Sequence, residues 1–138
     1  MADPLSEFCV FTIKRRTFLD RIAATGGTGT IKENKPWVDG TTRLADAERE
    51  GVRLPIIFSD SAYESALIYW AILTDVAYEP AEPEFGRKGS TTYSFTELTR
   101  ISPPRRLDEL TLWNKGKPRP LSLRYQRNYA ICLTPDFL

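Results

Sequence analysis

Histidine is absent from this 138-residue chain. Without an imidazole there is no Ser-His-Asp or Cys-His catalysis and no histidine-ligated zinc. No side chain present ordinarily titrates between pH 5 and 8. Cysteine is nearly absent too: Cys9 and Cys132 stand near opposite ends, each among apolar neighbours. They cannot build a disulfide scaffold. They predict two buried thiols on strands, with a disulfide open only to an oxidising compartment. With no histidine to complete a ligand set, neither a metal nor any other cofactor is expected.

Long apolar runs are missing as well. The longest, 66–77, is interrupted by Thr74 and Asp75, and a membrane helix needs about 20 apolar residues. The first seven residues carry Asp3 and Glu7 and no apolar core, so no secretory signal is read there. The expectation is a cytoplasmic protein with no membrane contact. Residues 25–30, a Thr/Gly loop, lack the phosphate-loop pattern of two glycines five apart followed by lysine and a hydroxyl.

Hydrophobic residues make up 41% of the chain and charged residues 27%, ordinary for one globular domain over 1–138. The formal net charge is only +1, which argues against a uniformly basic coat for nucleic acid, yet the charges are segregated. Residues 39–84 hold three basic side chains against ten acidic ones. Residues 100–127 hold eight basic side chains against Asp108 and Glu109. Lys14, Arg15 and Arg16 form a further basic corner. A local anion-binding face is therefore compatible with a neutral total.

Hydrophobic period and turn residues predict a strand over 8–13. A short helix follows over 18–24, capped by Thr17, with Phe18, Leu19 and Ile22 on one face and Gly26 and Gly27 ending it. A polar helix capped by Thr41 or Thr42 is expected to end near Glu50 at Gly51. Strands are expected at 53–59, 67–78, 91–101 and 129–133, with Pro103 and Pro104 breaking the fourth of these five. Residues 59–64 read as a turn, 79–90 as an exposed loop, 107–113 as a helical turn and 115–120 as a basic loop. Residues 121–125 fit strand or helix equally. In 67–78 both alternating faces are apolar, as a central barrel strand requires. Tyr69 and Trp70 take opposite faces. Five to six strands with two to three short helices point to a mainly β, α+β domain: a small, closed or partly open β-barrel.

The order of elements resembles the PUA-like superfamily, and within it the ASCH and EVE branches. The likeness is carried by CVFTIKRRTFLDRIAATGG, by GVRLPIIFSD with SALIYWAILTDVAYEP, and by TTYSFTELTRISPPRRLDEL. The ASCH signature Gly-x-Lys-x-x-Glu-x-Arg meets Gly29-Thr30-Ile31-Lys32-Glu33-Asn34 here; Lys32 and Glu33 are present, but at other spacing and without the arginine. The resemblance implies a domain that holds RNA or a modified base in a pocket between the barrel and the first helical insertion. Aromatics would stack the base there, and Lys and Arg would hold phosphate.

On that reading the nucleic-acid-binding candidates are Lys14, Arg15, Arg16, Lys32, Asn34, Trp37, Ser59 and Asp60. Trp37, if exposed, is a stacking platform; otherwise it covers the barrel end. Asn34 reads a base edge or makes a turn. Ser59 and Asp60 mark the pocket mouth or an ordinary turn. Trp113 with Lys115, Lys117 and Arg119 interleaves an aromatic with cations, a pattern seen in single-strand binding. Two other classes stay open. A small ASCH-type nucleoside amidohydrolase or ribonuclease would rely on Lys32 with Glu33, Asp60 or Glu64 for acid–base work. A protein-interaction domain would use the acidic centre, including Asp46, Glu48 and Glu50.

Overall fold

The computed structural model describes residues 3–60, 66–113, 117–121 and 129–138. In chain order the elements are β1 (Phe8–Lys14), α1 (Arg16–Ala24), β2 (Gly29–Glu33), α2 (Val38–Glu50), β3 (Leu54–Asp60), β4 (Leu67–Glu79), β5 (Ser90–Arg105), β6 (Thr111–Leu112), β7 (Arg119–Pro120) and β8 (Tyr129–Leu133). Short 3-10 turns stand at Pro83–Phe85 and Leu107–Glu109.

The strands make one mixed sheet in the order β2-β5-β4-β3-β1-β8-β6-β7. β1 and β3 run parallel, Val10 opposite Ile56 through Lys14 opposite Asp60. The other pairings among these strands are antiparallel. The fold is α+β and mostly sheet, as expected; the expected count of five to six strands is corrected, since among the described residues the sheet has eight, and of the closed or partly open forms expected it is not closed. The extra strands are β2, which begins in the segment read as a Thr/Gly loop, and β6 and β7, from segments read as a helical turn and a basic loop. β6 and β7 are two residues long each, too short to show a period.

The sheet is nonetheless strongly curled. The β4–β5 ladder shifts register at three places, between Leu67 and Tyr69, Trp70 and Ile72, and Leu73 and Asp75, and each such irregularity bends and twists a strand pair. One result is that Trp37, just before α2, stacks on both Tyr93 of β5 and Tyr129 of β8, although β4, β3 and β1 lie between those strands. The concave face wraps a core that includes Val10, Ile56, Phe58, Tyr69, Leu73 and Phe95, with Leu19 of α1 and Ala47 of α2. The opposite face carries a second core of Cys9, Phe11, Ile57, Leu67, Leu107, Leu110 and Cys132. β4 therefore needs both apolar faces: Tyr69 packs into the first core and Trp70 against the second.

Local deviations have local causes. α1 starts at Arg16 with Arg15 as its unbonded cap, so Thr17 is inside the helix. α2 starts at Val38, and the Thr41 and Thr42 hydroxyls donate to the carbonyls of Trp37 and Val38 one turn back instead of capping. Gly51, at φ 71°, ends α2 as expected. β5 runs through Pro103 and Pro104 because its ladder to β4 jumps from Arg100 to Arg105, leaving no bond there for a proline to remove. Pro55 is tolerated in β3 because the β1 ladder begins only at Ile56. Glu64, Lys115, most of the 59–64 turn and residues 122–125 lie outside the described residues. No helix among the described residues is long and apolar enough to cross a membrane.

Candidate functional site

A single residue, Arg15, separates β1 from α1. This tight corner presents Lys14, Arg15 and Phe18 at the end of β1. Facing them is β2, an edge strand paired only with β5 among the described strands. Its exposed and buried residues alternate about Ile31, so Thr30 and Lys32 turn outward. Between corner and edge lies a cleft of about 650 Å³, lined by Lys14, Arg15, Phe18, Lys32 and Glu33 over a floor that includes Ile13 and Ile31. It marks a seam, where β1 and β2 come together without a ladder between them.

The seam is bridged by an ion pair between Lys14 and Glu33, both about one-fifth exposed. It joins strands separated in hydrogen-bonded order by β5, β4 and β3. Beneath it sits Tyr93, opposite Ile31 in register. Burial first, and then the nearby Glu33 carboxylate, push the Tyr93 phenol well above its ordinary value. Arg15 and Lys32 are exposed and enter no ion pair among the described residues. Phe18 is 41% exposed. The sequence pattern places it on a core face with Leu19 and Ile22; in the structure it turns to the cleft, while Leu19 is fully buried.

The structure thus brings together Lys14, Arg15, Lys32 and Glu33, and sets the other candidates elsewhere. Arg16 points to Asp60, with Nε 3.4 Å from Oδ2, tying α1 to the end of β3. Asp60 is largely buried in that role. Ser59 is fully buried, and its Oγ has no hydrogen-bond partner among the described residues. Asn34 is exposed just past β2 and does not line the cleft. Trp37 requires correction as a surface stacking platform: it is 1% exposed, with ring centroids 4.3 Å from Tyr93 and 4.7 Å from Tyr129. Both indole faces are occupied, so it is a core residue.

Trp113 packs edge-on against Phe8, at 5.7 Å between ring centroids. Phe8 begins β1 and Lys14 ends it, so the Trp113 end lies roughly 20 Å from the cleft at the usual strand rise. Lys117 and Arg119 are exposed and line no part of the cleft. For acid–base chemistry, Glu33 is engaged by Lys14 rather than by its neighbour Lys32. In the acidic centre, Asp46 pairs with Arg49, while Glu48 and Glu50 are exposed on α2. Among the described residues no three His, Cys, Asp or Glu side chains gather as metal ligands.

α1 is anchored behind the cleft by a second cluster. The Tyr69 hydroxyl donates to Asp20 of α1, and the Arg100 guanidinium donates to the same carboxylate at 2.9 Å. This fixes the helix that carries Phe18.

The missed contributors are Phe18 and the partnership of Glu33 with Lys14. The only trace of β2 in the sequence is the short alternation Thr30-Ile31-Lys32, embedded in what reads as a Thr/Gly loop.

Fold and cleft together define an α+β chain with an open, curled sheet and a cationic, partly aromatic cleft at its seam. No protein-family model matches the chain, and no curated protein matches it at a significant level.

Proposed function

We propose that this chain is a nucleic-acid-binding module whose seam cleft holds single-stranded RNA or a modified base. The observation that carries the reading is the convergence of Lys14, Arg15 and Lys32 with the exposed ring of Phe18 around one cleft of about 650 Å³. Cations beside an exposed aromatic suit a ligand that joins phosphate to a flat base. The cleft lies between β1, α1 and β2, which is where the PUA-like resemblance expects a pocket beside the first helical insertion. PUA-like ancestry and a cytoplasmic location belong to this same reading.

The test is fluorescence anisotropy with a short single-stranded RNA of mixed sequence, over a salt series. Binding should weaken as salt rises, because phosphate neutralisation releases counterions. The double variant Arg15→Glu, Lys32→Glu should bind at least tenfold more weakly. It should also flatten the salt dependence, by about 0.7 in log–log slope for each single-strand phosphate that is no longer neutralised. Both positions are exposed, so the melting temperature should hardly move. Absence of binding at low salt, or equal binding by the double variant, overturns the reading.

A further inference from the structure

We propose that the site selects RNA over DNA, through paired hydroxyls that receive ribose 2′-OH groups along β2 and β5 as the strand leaves the cleft; this rests on the nucleic-acid reading above. Ile31, Tyr93 and Phe95 fill the core face of this strand pair, so the alternate residues stand on its outer face. There the register sets Thr30 opposite Ser94 and Lys32 opposite Thr92. The Thr30 and Ser94 hydroxyls meet at 2.9 Å, and just before β2 those of Thr28 and Thr96 meet at 3.0 Å. Thr30 and Lys32 line the cleft, so the column Lys32, Thr30, Thr28 leads out of it. Its three members are exposed. They recur every second residue, a spacing of about 6.8 Å, close to the nucleotide repeat of an extended single strand.

Two hydroxyls in contact spend one proton between them. The other proton and further lone pairs stay free. Each pair can therefore donate and accept at once, and so can the 2′-OH, the group by which a protein tells RNA from DNA. The cross-strand bond also orients both side chains before a ligand arrives. Deoxyribose presents only C–H groups at that place. Charge then sets how the strand lies. Arg15 and Lys32 stand on the cleft side. On the other side of β5, Asp75 of β4 is exposed opposite Ser94, and its carboxylate repels phosphate. Phosphates therefore lie toward the β2 edge, with riboses over the hydroxyls.

The experiment is fluorescence anisotropy of the whole protein at low salt with one short sequence made three ways: as RNA, as 2′-O-methyl RNA, and as DNA with uracil in place of thymine. The 2′-O-methyl strand is the sharpest control, because it keeps the ribose shape and an acceptor but lacks the 2′ proton. RNA should bind about tenfold more tightly than either of the others, the size of one or two net hydrogen bonds. Thr30→Val, which keeps the side-chain shape without the hydroxyl, should bring RNA affinity down toward that of DNA and leave DNA affinity unchanged. The comparison among the three strands on the unaltered protein stands even if that variant folds poorly. Equal binding of RNA and DNA overturns the selection proposal and leaves the nucleic-acid reading standing. So does a preference for RNA that survives intact in Thr30→Val. If none of the three strands binds at low salt, both fall.

Discussion

Between Tyr93 and Tyr129 the Trp37 ring has both faces occupied, and that burial decides its role. Trp37→Ala should cost about 3–5 kcal/mol of stability, as large aromatic truncations in cores do, measured by urea denaturation. RNA affinity of the fraction still folded should stay within a few-fold; a selective loss of binding would contradict the assignment. The sequence could not reveal this, because Tyr93 and Tyr129 lie far along the chain and meet Trp37 only when the sheet curls. The cysteines were more legible. Their apolar neighbours gave burial, and Cys9 and Cys132 do face each other across β1 and β8, buried with free thiols. Burial, followed by the neighbouring Cys132 thiol, pushes Cys9 up, and burial pushes Cys132 up to about 12. Burial raises the Tyr93 and Tyr129 phenols too. The folded chain therefore keeps protons that the unfolded chain releases. The associated stability is complete below about pH 9, the ordinary thiol value, and is lost as pH rises further. With no histidine, the melting temperature should be flat from pH 6 to 8 and should fall above pH 9. A rise in the alkaline range would refute the account of these buried groups.

At the scale of elements, the path of β2 depends on a missing side chain. A Cβ at Gly29 would lie 2.9 Å from Phe95 Cζ and 3.3 Å from two carbon atoms of Ile22. Gly29→Ala must therefore displace the start of β2 or the side chains beneath it. The expected loss is about 1–3 kcal/mol, the usual range for overpacking. RNA binding should fall as well, because Lys32 and Glu33 ride on the displaced strand. Full stability with unchanged affinity would show that the edge is not held there. α2 and its stop at Gly51, and strands β1, β3, β4 and β8, were readable from period and turn chemistry. The prolines of β5 misled, since the sequence cannot show that they fall in a gap of the ladder. β2 was hidden because five residues of an edge strand, opening with glycine, look like loop.

At the scale of the molecule, the near-neutral charge conceals a division of labour. The acidic centre leaves Glu48 and Glu50 on the surface of α2, while the basic corner faces the seam. The basic corner and Lys32 were legible as candidates, but their meeting was not. It depends on β1 and β2 coming together across three intervening strands, and no local pattern encodes that curl. The same geometry makes the Lys14–Glu33 pair a bridge across an unclosed sheet. Glu33→Ala should loosen the seam, seen as faster amide hydrogen exchange in β2, with little change in β8; equal protection throughout would deny the bridge its role.

The most direct measurement is a backbone and side-chain NMR titration of the isotope-labelled protein with a short single-stranded RNA at low salt. The account predicts the largest shifts at Lys14, Arg15, Phe18, Lys32 and Glu33, with the Trp37 and Trp113 indoles and Lys117 nearly unmoved. Shifts confined to the Trp113 end, or none at the seam under saturating RNA, would contradict it.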